Sequence, residues 1–237
     1  MMRTLSLGFF FCLIASCASH KFDIKNNEKR TYSYNDVSGS YDLTLHYKHK
    51  KDINFIQKEI KDVSSQEVIE TSYVLIKSNE KLKFWIPTAS QTVSWLDKKE
   101  HFAEYKILPK KKLYSLRSND LEKAKAVPFV KSKTVCSFSI LPICLEWLLT
   151  QNRGSILKGS PVYFAIHWDQ YPMTKIIYSY KGITPLMRVK IVLDHNKSGN
   201  LSFTIDSPEL ILSVSTDKRF KVDSLNWVAE GLSLQLK

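Results

Sequence analysis

Several common signatures of chemistry are missing from this chain. No Gly-x-Ser-x-Gly occurs, which excludes the nucleophile elbow that presents the serine of α/β-hydrolases. Residues 154–161, GSILKGSP, have the two glycines of a phosphate-binding loop. However, Ser160 and Pro161 stand where that loop needs a lysine and a hydroxyl residue. No Cys-x-x-Cys occurs, and none of the 6 histidines has another four positions away, so the usual spacing of metal ligands is absent. His46 and His49 are an odd distance apart on a predicted strand and point to opposite faces. Beyond the N-terminus there is no apolar run of membrane-spanning length, so the body reads as soluble. No cofactor and no metal are expected. Cysteine is scarce, at 4 residues, and two of these, Cys12 and Cys17, belong to the N-terminal segment.

That segment has the anatomy of a bacterial export signal. Arg3 lies in a short n-region, residues 5–14 (LSLGFFFCLI) are uncharged and apolar, and the small residues Ala15 and Ser16 come next. A run of this length is too short to anchor a bilayer, so residues 1–16 read as a signal peptide. Ile14-Ala15-Ser16-Cys17 resembles the lipobox of bacterial lipoproteins: an aliphatic residue, two small residues, then cysteine. Cys12, preceded by Phe9, Phe10 and Phe11, does not fit it, and Ile14 is a mild departure where leucine is commoner. The resemblance covers only the signal and the first mature residue. It implies that Cys17 takes a diacylglycerol on its sulfur, becomes the first residue after cleavage, and is acylated on its amine. Several acyl chains give stable anchoring where one is marginal. Ala18 after the cysteine implies the outer membrane, with the protein facing the periplasm. The alternative is an ordinary secretory signal cut after Ala18, since Ser16 and Ala18 form a small-x-small site. Residues 17–35, polar and without apolar periodicity, then read as a lipid-anchored flexible tether.

Most of the mature chain alternates with period two. In YDLTLHYKHK, Tyr41, Leu43, Leu45 and Tyr47 share one face, and Asp42, Thr44, His46 and Lys48 share the other. SYVLIK and KLKFWIP flank SNE as a hairpin, and QTVSWL and HFAEYKIL flank DKKE as another. The middle differs. Ser118 or Asn119 can cap a helix over LEKAKAV, and ILPICLEWLLTQNRG predicts a buried helix with Pro142 in its first turn and Gly154 as its stop. Strands then resume, including TKIIYSYKG, and alternation at Leu232, Leu234 and Leu236 predicts a paired C-terminal strand. The fold class is therefore mainly β. Residues 36–237 form one antiparallel domain, a curved sheet or an open or closed barrel, with about two helices near 119–153 and the apolar one plugging the mouth. A closed outer-membrane barrel also alternates, but its family usually ends in an aromatic residue, where this chain ends in Lys237. The order of elements resembles the bacterial lipoprotein-carrier and receptor group, open barrels covered by helices. That likeness implies an apolar interior for acyl chains, and no motif of the group carries over residue by residue.

The formal net charge is +12. Basic clusters at Lys48, Lys50 and Lys51, and at Lys110, Lys111 and Lys112, have three readings. An exported protein does not meet nucleic acid. A surface facing anionic lipid phosphates suits them. Lysines guarding strand edges and loops against aggregation are the reading preferred here. Export to an oxidising space predicts a Cys136–Cys144 bridge, with two buried thiols as the alternative. Trp85, Trp95, Tyr105, Phe164, Tyr178, Tyr180 and Trp227 fall on predicted strands and Trp147 on the apolar helix. They either line an apolar pocket or fill the core. His167 and Asp169, two apart in AIHWDQY, share a strand face and form half of a catalytic site or a structural pair. The structural pair is preferred, because no nucleophile accompanies them. The functional expectation is an outer-membrane lipoprotein, partnered by the membrane through its anchor, that binds a lipid or acyl chain without catalysis. An envelope scaffold acting through a sheet edge or the basic face is the alternative, ahead of a hydrolase using His167 and Asp169.

Overall fold

Alternation in sequence becomes alternation in burial. In the computed structural model, which describes residues 22, 24–50, 53–96, 99–108, 113–119, 125–128, 132–167, 169, 186–197, 200–207, 210–228 and 231–237, the chain is built mainly from strands. The first half contributes β1 (Lys29–Asp36), β2 (Gly39–Lys50), β3 (Ile53–Asp62), β4 (Val68–Asn79), β5 (Phe84–Leu96), β6 (Lys99–Leu108), β7 (Leu113–Ser118) and β8 (Lys125–Pro128). After β9 (Val135–Ser137) and a short 3-10 turn come α1 (Leu141–Gln151) and α2 (Arg153–Ile156). The second half adds β10 (Val162–His167), β11 (Leu186–Lys197), β12 (Asn200–Ser207), β13 (Leu210–Asp217), β14 (Val222–Trp227) and β15 (Leu232–Leu236). Leu43, Leu45 and Tyr47 of β2, Ile56 and Ile60 of β3, and Leu212 and Val214 of β13 all turn inward, as the period-two pattern predicts.

One sheet takes in all fifteen strands, in the order β8-β7-β6-β5-β4-β3-β2-β1-β15-β14-β13-β12-β11-β10-β9. Every neighbour is antiparallel except β9 on β10. The two ends of the described chain meet at the centre, where Tyr32 pairs with Leu236 and Tyr34 with Leu234. The sheet then curls until β9 reaches β5. There the Trp85 backbone N–H donates to the Lys133 carbonyl at 3.0 Å, and Trp85 and Thr134 form a single parallel bridge. β6, β7 and β8 continue past this seam. The result is a strongly curved, unclosed, barrel-like sheet. A bulge in β5 helps it bend. The register slips between Leu75 and Ile76 opposite Pro87 and Ala89, and Thr88 Oγ1 donates to the Leu75 carbonyl at 3.1 Å. Pro87, which has no N–H to offer, sits where the ladder is already interrupted.

Helix α1 lies inside the curl. Every residue from Leu141 to Thr150 is buried, and Pro142 occupies the first turn, where its missing N–H costs nothing. Trp147 packs on Trp85 with ring centroids 5.4 Å apart. The Cys136–Cys144 disulfide ties α1 to β9 across a Cα–Cα distance of 5.6 Å. Among the described residues no helix is long and apolar enough to cross a membrane.

Four expectations need correction. Residues 29–35 are not tether: they form β1, a central strand, and Phe22 and Ile24 before it pack against the core. The inward residues of β1 are Arg30 and Tyr32, so its strand pattern is hidden behind polar side chains. The helix expected near residue 119 is absent where described, since Lys125–Pro128 pairs with β7 as a strand. The available ladder outweighs the helix propensity of Lys and Ala there. The helical segment accordingly begins at Phe138. Gly154 does not stop α1, which ends at Gln151; Gly154 lies within α2, and the turn comes at Gly159 with φ of 79°. The strand expected over residues 174–182 lies outside the described residues.

Candidate binding site at one end of the barrel

Among the described residues, the aromatic side chains expected to line a pocket pack mainly on one another and on the core. Trp85, Tyr105, Trp147, Phe164 and Trp227 are all buried, as either of their two readings requires. They pack on protein: Trp85 on Trp147, and Phe138 on Trp227 with centroids 6.0 Å apart. Trp95 is 43% exposed, so it faces away from the interior. Tyr178 and Tyr180 lie outside the described residues. The cavity bounded by Leu43, Ile60, Phe138, Leu141 and Leu225 holds about 20 Å³. That is room for about one water, against the several hundred Å³ of an ordinary ligand pocket.

His167 and Asp169 belong to a second, polar part of the interior. Asp169 accepts the Ser139 backbone N–H at 3.1 Å and the Ser139 hydroxyl at 2.8 Å. Burial pushes its carboxyl above the usual range, with the Ser139 bonds pulling the other way. His167 is fully buried and lies over Tyr105 with ring centroids 3.8 Å apart; desolvation alone pushes its imidazole down to about 3. Beside them Lys58 Nζ donates to Glu70 at 2.5 Å, with the two side chains 1% and 7% exposed. Ser72 and Thr92 share a hydroxyl bond at 3.0 Å. Neither His167 nor Asp169 lines an open cleft, and the residues around them act as ties between β3, β4, β5 and the segment after β10.

Both larger clefts open at one end of the barrel. The antiparallel order brings the β2–β3, β4–β5 and β13–β14 turns to that end. Phe22 packs there on Tyr47 and Trp85, each at 6.1 Å, and Arg153 of α2 donates to the Lys218 carbonyl at 3.1 Å. The first cleft, about 600 Å³, is lined by Phe22, Lys25, Arg30, Glu146, Asp217 and Lys221, among others. Its central charges are already matched. Arg30 pairs with Glu146 of α1 and, at 2.6 Å, with Glu28, while the Val222 backbone N–H donates to Glu146 at 2.8 Å. Burial raises the Glu146 carboxyl to about 7 despite Arg30, and Glu146 in turn holds the Arg30 guanidinium above its ordinary value.

The second cleft, about 490 Å³, lies beside the C-terminal half of α1 at the seam where the edge strand β9 meets β5. Its walls carry Lys83 from the β4–β5 turn, Lys133 before β9, and Arg188 of β11. Leu148, Val162 and Phe164 supply an apolar floor. No carboxylate is among its lining residues, and none of the three cations forms an ion pair among the described residues. Three cations over an apolar floor suit an anionic head joined to an apolar body.

None of the expected basic clusters lines this cleft. Lys48 and Lys50 are exposed at the end of β2, on the same end of the barrel, and Lys51, Lys110, Lys111 and Lys112 lie outside the described residues, as does Cys17. Lys83, Lys133 and Arg188 give no signal in the sequence because none lies in a run of adjacent lysines and the three are 50 or more residues apart from one another. Only the seam brings them together.

No family model matches this chain, and no curated protein matches it. Among solved structures it is similar to the crystal structure of a β-barrel-like protein of the domain of unknown function DUF1849 from Brucella abortus. The TM-score is 0.48 and the identity 7%, over 88% of this chain and 94% of that one.

Proposed function

We propose that the protein is an envelope lipoprotein, held at the outer membrane by Cys17 and facing the periplasm, that binds an anionic amphiphile at the barrel seam without catalysis. The observation that carries this reading is the second cleft, where Lys83, Lys133 and Arg188 stand without a carboxylate over Leu148, Val162 and Phe164. The cations take the charged head and the floor takes the adjoining apolar segment. A cleft of about 490 Å³ accommodates a head and a short length of chain, so the ligand is gripped near its headgroup and not swallowed whole. The reading puts the ligand at the rim of the barrel, beside the apolar interior expected from the sequence.

Calorimetric titration with short-chain phosphatidylglycerol and phosphatidylcholine, both below their micellar concentrations, tests the reading. Preferential binding of the anionic lipid is expected, with at least a tenfold loss in Lys133→Glu/Arg188→Glu. Equal binding of the two lipids, or an affinity untouched by the double substitution, would overturn it.

A further inference from the structure

The two ends of the barrel differ in charge. At the end that carries both clefts, the turns and flanking segments present Lys50, Lys81, Lys83, Lys158, Lys218 and Arg219, all exposed. The acidic residues there are fewer: Glu80 is exposed in the β4–β5 turn, Asp223 is half-buried at the start of β14, and Glu28 and Asp217 are engaged. Glu28 pairs with Arg30, and Asp217 is turned back onto its own loop, accepting the backbone N–H groups of Arg219 at 2.8 Å and Lys221 at 2.9 Å. The opposite end has the β1–β2, β3–β4, β5–β6 and β12–β13 turns, where Asp36, Asp62, Glu67, Glu100 and Asp206 outnumber Lys61 and Lys99; Asp36 and Asp62 bond within their own turns, and Asp206 pairs with Lys190 at 3.0 Å. These two sets are far apart in sequence and segregate only because successive antiparallel strands return to the same ends.

The N-terminal segment meets the barrel at the basic end. Phe22 is inserted between Tyr47 and Trp85, and the Asn26 side chain accepts the His49 backbone N–H at 2.8 Å. Cys17 precedes Phe22 by five residues, which reach at most about 18 Å when fully extended. A lipid on Cys17 therefore holds this end, and not the acidic one, against the bilayer.

From these two observations we infer that the basic end is a docking face for an anionic lipid surface, on which the barrel stands end-on with both clefts opening toward the headgroups. The inference extends the proposed function and rests on its membrane location, not on its cleft. A net positive field at close range attracts phosphate headgroups, and the net acidic far end turns the same attraction into orientation. The cleft at Lys83, Lys133 and Arg188 then lies where a headgroup can enter it from the membrane plane.

Lysine footprinting tests the orientation. The full chain is reconstituted on vesicles of phosphatidylcholine alone or with phosphatidylglycerol, labelled with a membrane-impermeant amine reagent, and read by peptide mass spectrometry. Labelling of Lys81, Lys158 and Lys218 is expected to fall at least threefold on the anionic vesicles, while Lys61 at the far end is unchanged. Lys81→Glu/Lys158→Glu/Lys218→Glu, none of which lines the second cleft, is expected to abolish the effect at Lys50 while leaving binding of the short-chain lipid intact. Equal protection at both ends, no dependence on vesicle charge, or protection by duplex DNA and not by vesicles would overturn the inference. Loss of short-chain lipid binding with the footprint retained would strike the cleft reading alone.

Discussion

His167 makes acid a selective stress on this fold. Its imidazole titrates near 6.5 when solvated and only near 3 in the folded chain, where it is fully buried against Tyr105. The folded state therefore binds fewer protons than the unfolded state between those two values, so this group's contribution is intact above pH 6.5 and is lost as pH falls toward 3. Each pH unit in that window costs about 1.4 kcal/mol, which gives roughly 3 kcal/mol by pH 4.5. Two other buried groups work in the opposite direction. Asp169 and Glu146 have raised values, so each favours the fold as pH falls through its own window. The diagnostic quantity is thus the difference between wild type and His167→Phe, which keeps an aromatic ring over Tyr105 but cannot titrate. Urea unfolding at pH 7.5 and pH 4.5 measures it. The wild type is expected to lose about 2–3 kcal/mol more than the variant between those conditions. Parallel pH responses would refute the claim that His167 is held neutral by desolvation.

Two other parts of the interior and the N-terminus give three more expected outcomes. Glu146→Ala leaves Arg30 buried with only Glu28 and leaves the Val222 N–H without its acceptor, so a loss of about 3–5 kcal/mol is expected in the same urea assay. Removing the Cys136–Cys144 bridge by a double serine substitution is expected to cost about 2–3 kcal/mol, the loop-closure value for so short a loop, read as a lower thermal midpoint. At the N-terminus, Cys17→Ser is expected to abolish incorporation of labelled palmitate and to release the protein from the membrane fraction; palmitate retained in that variant would refute the anchor.

The alternating strands were legible because their inward residues are apolar: Leu43, Leu45 and Tyr47 in β2, Leu201, Phe203 and Ile205 in β12. The apolar helix was legible because it offers almost no polar face, and its one acid, Glu146, is buried with Arg30. β1 was not legible. Arg30 occupies a core position only because Glu146 arrives from 116 residues away, and local periodicity carries no trace of that partner. The polar interior of β4 and β5 has the same cause. Glu70, Ser72, Thr92 and Ser94 face inward because they satisfy one another and Lys58, so their strands look two-sided in sequence. The candidate site was the least legible feature of all. Lysine clusters adjacent in sequence point to Lys48 and Lys50, whereas Lys83, Lys133 and Arg188 converge only where the sheet curls β9 onto β5. A seam is a property of the curled sheet, and no window of sequence contains it.

The most direct test of the central claim, that the seam cleft holds an anionic amphiphile, is photo-crosslinking from within it. Tyr163 lines the cleft and is 71% exposed, so p-benzoylphenylalanine fits there without disturbing the core. After irradiation of living cells, intact-mass analysis of the purified protein is predicted to show adducts of anionic-lipid mass, lost when Lys133→Glu/Arg188→Glu is added. Adducts to proteins alone, or lipid adducts indifferent to those two cations, would contradict it.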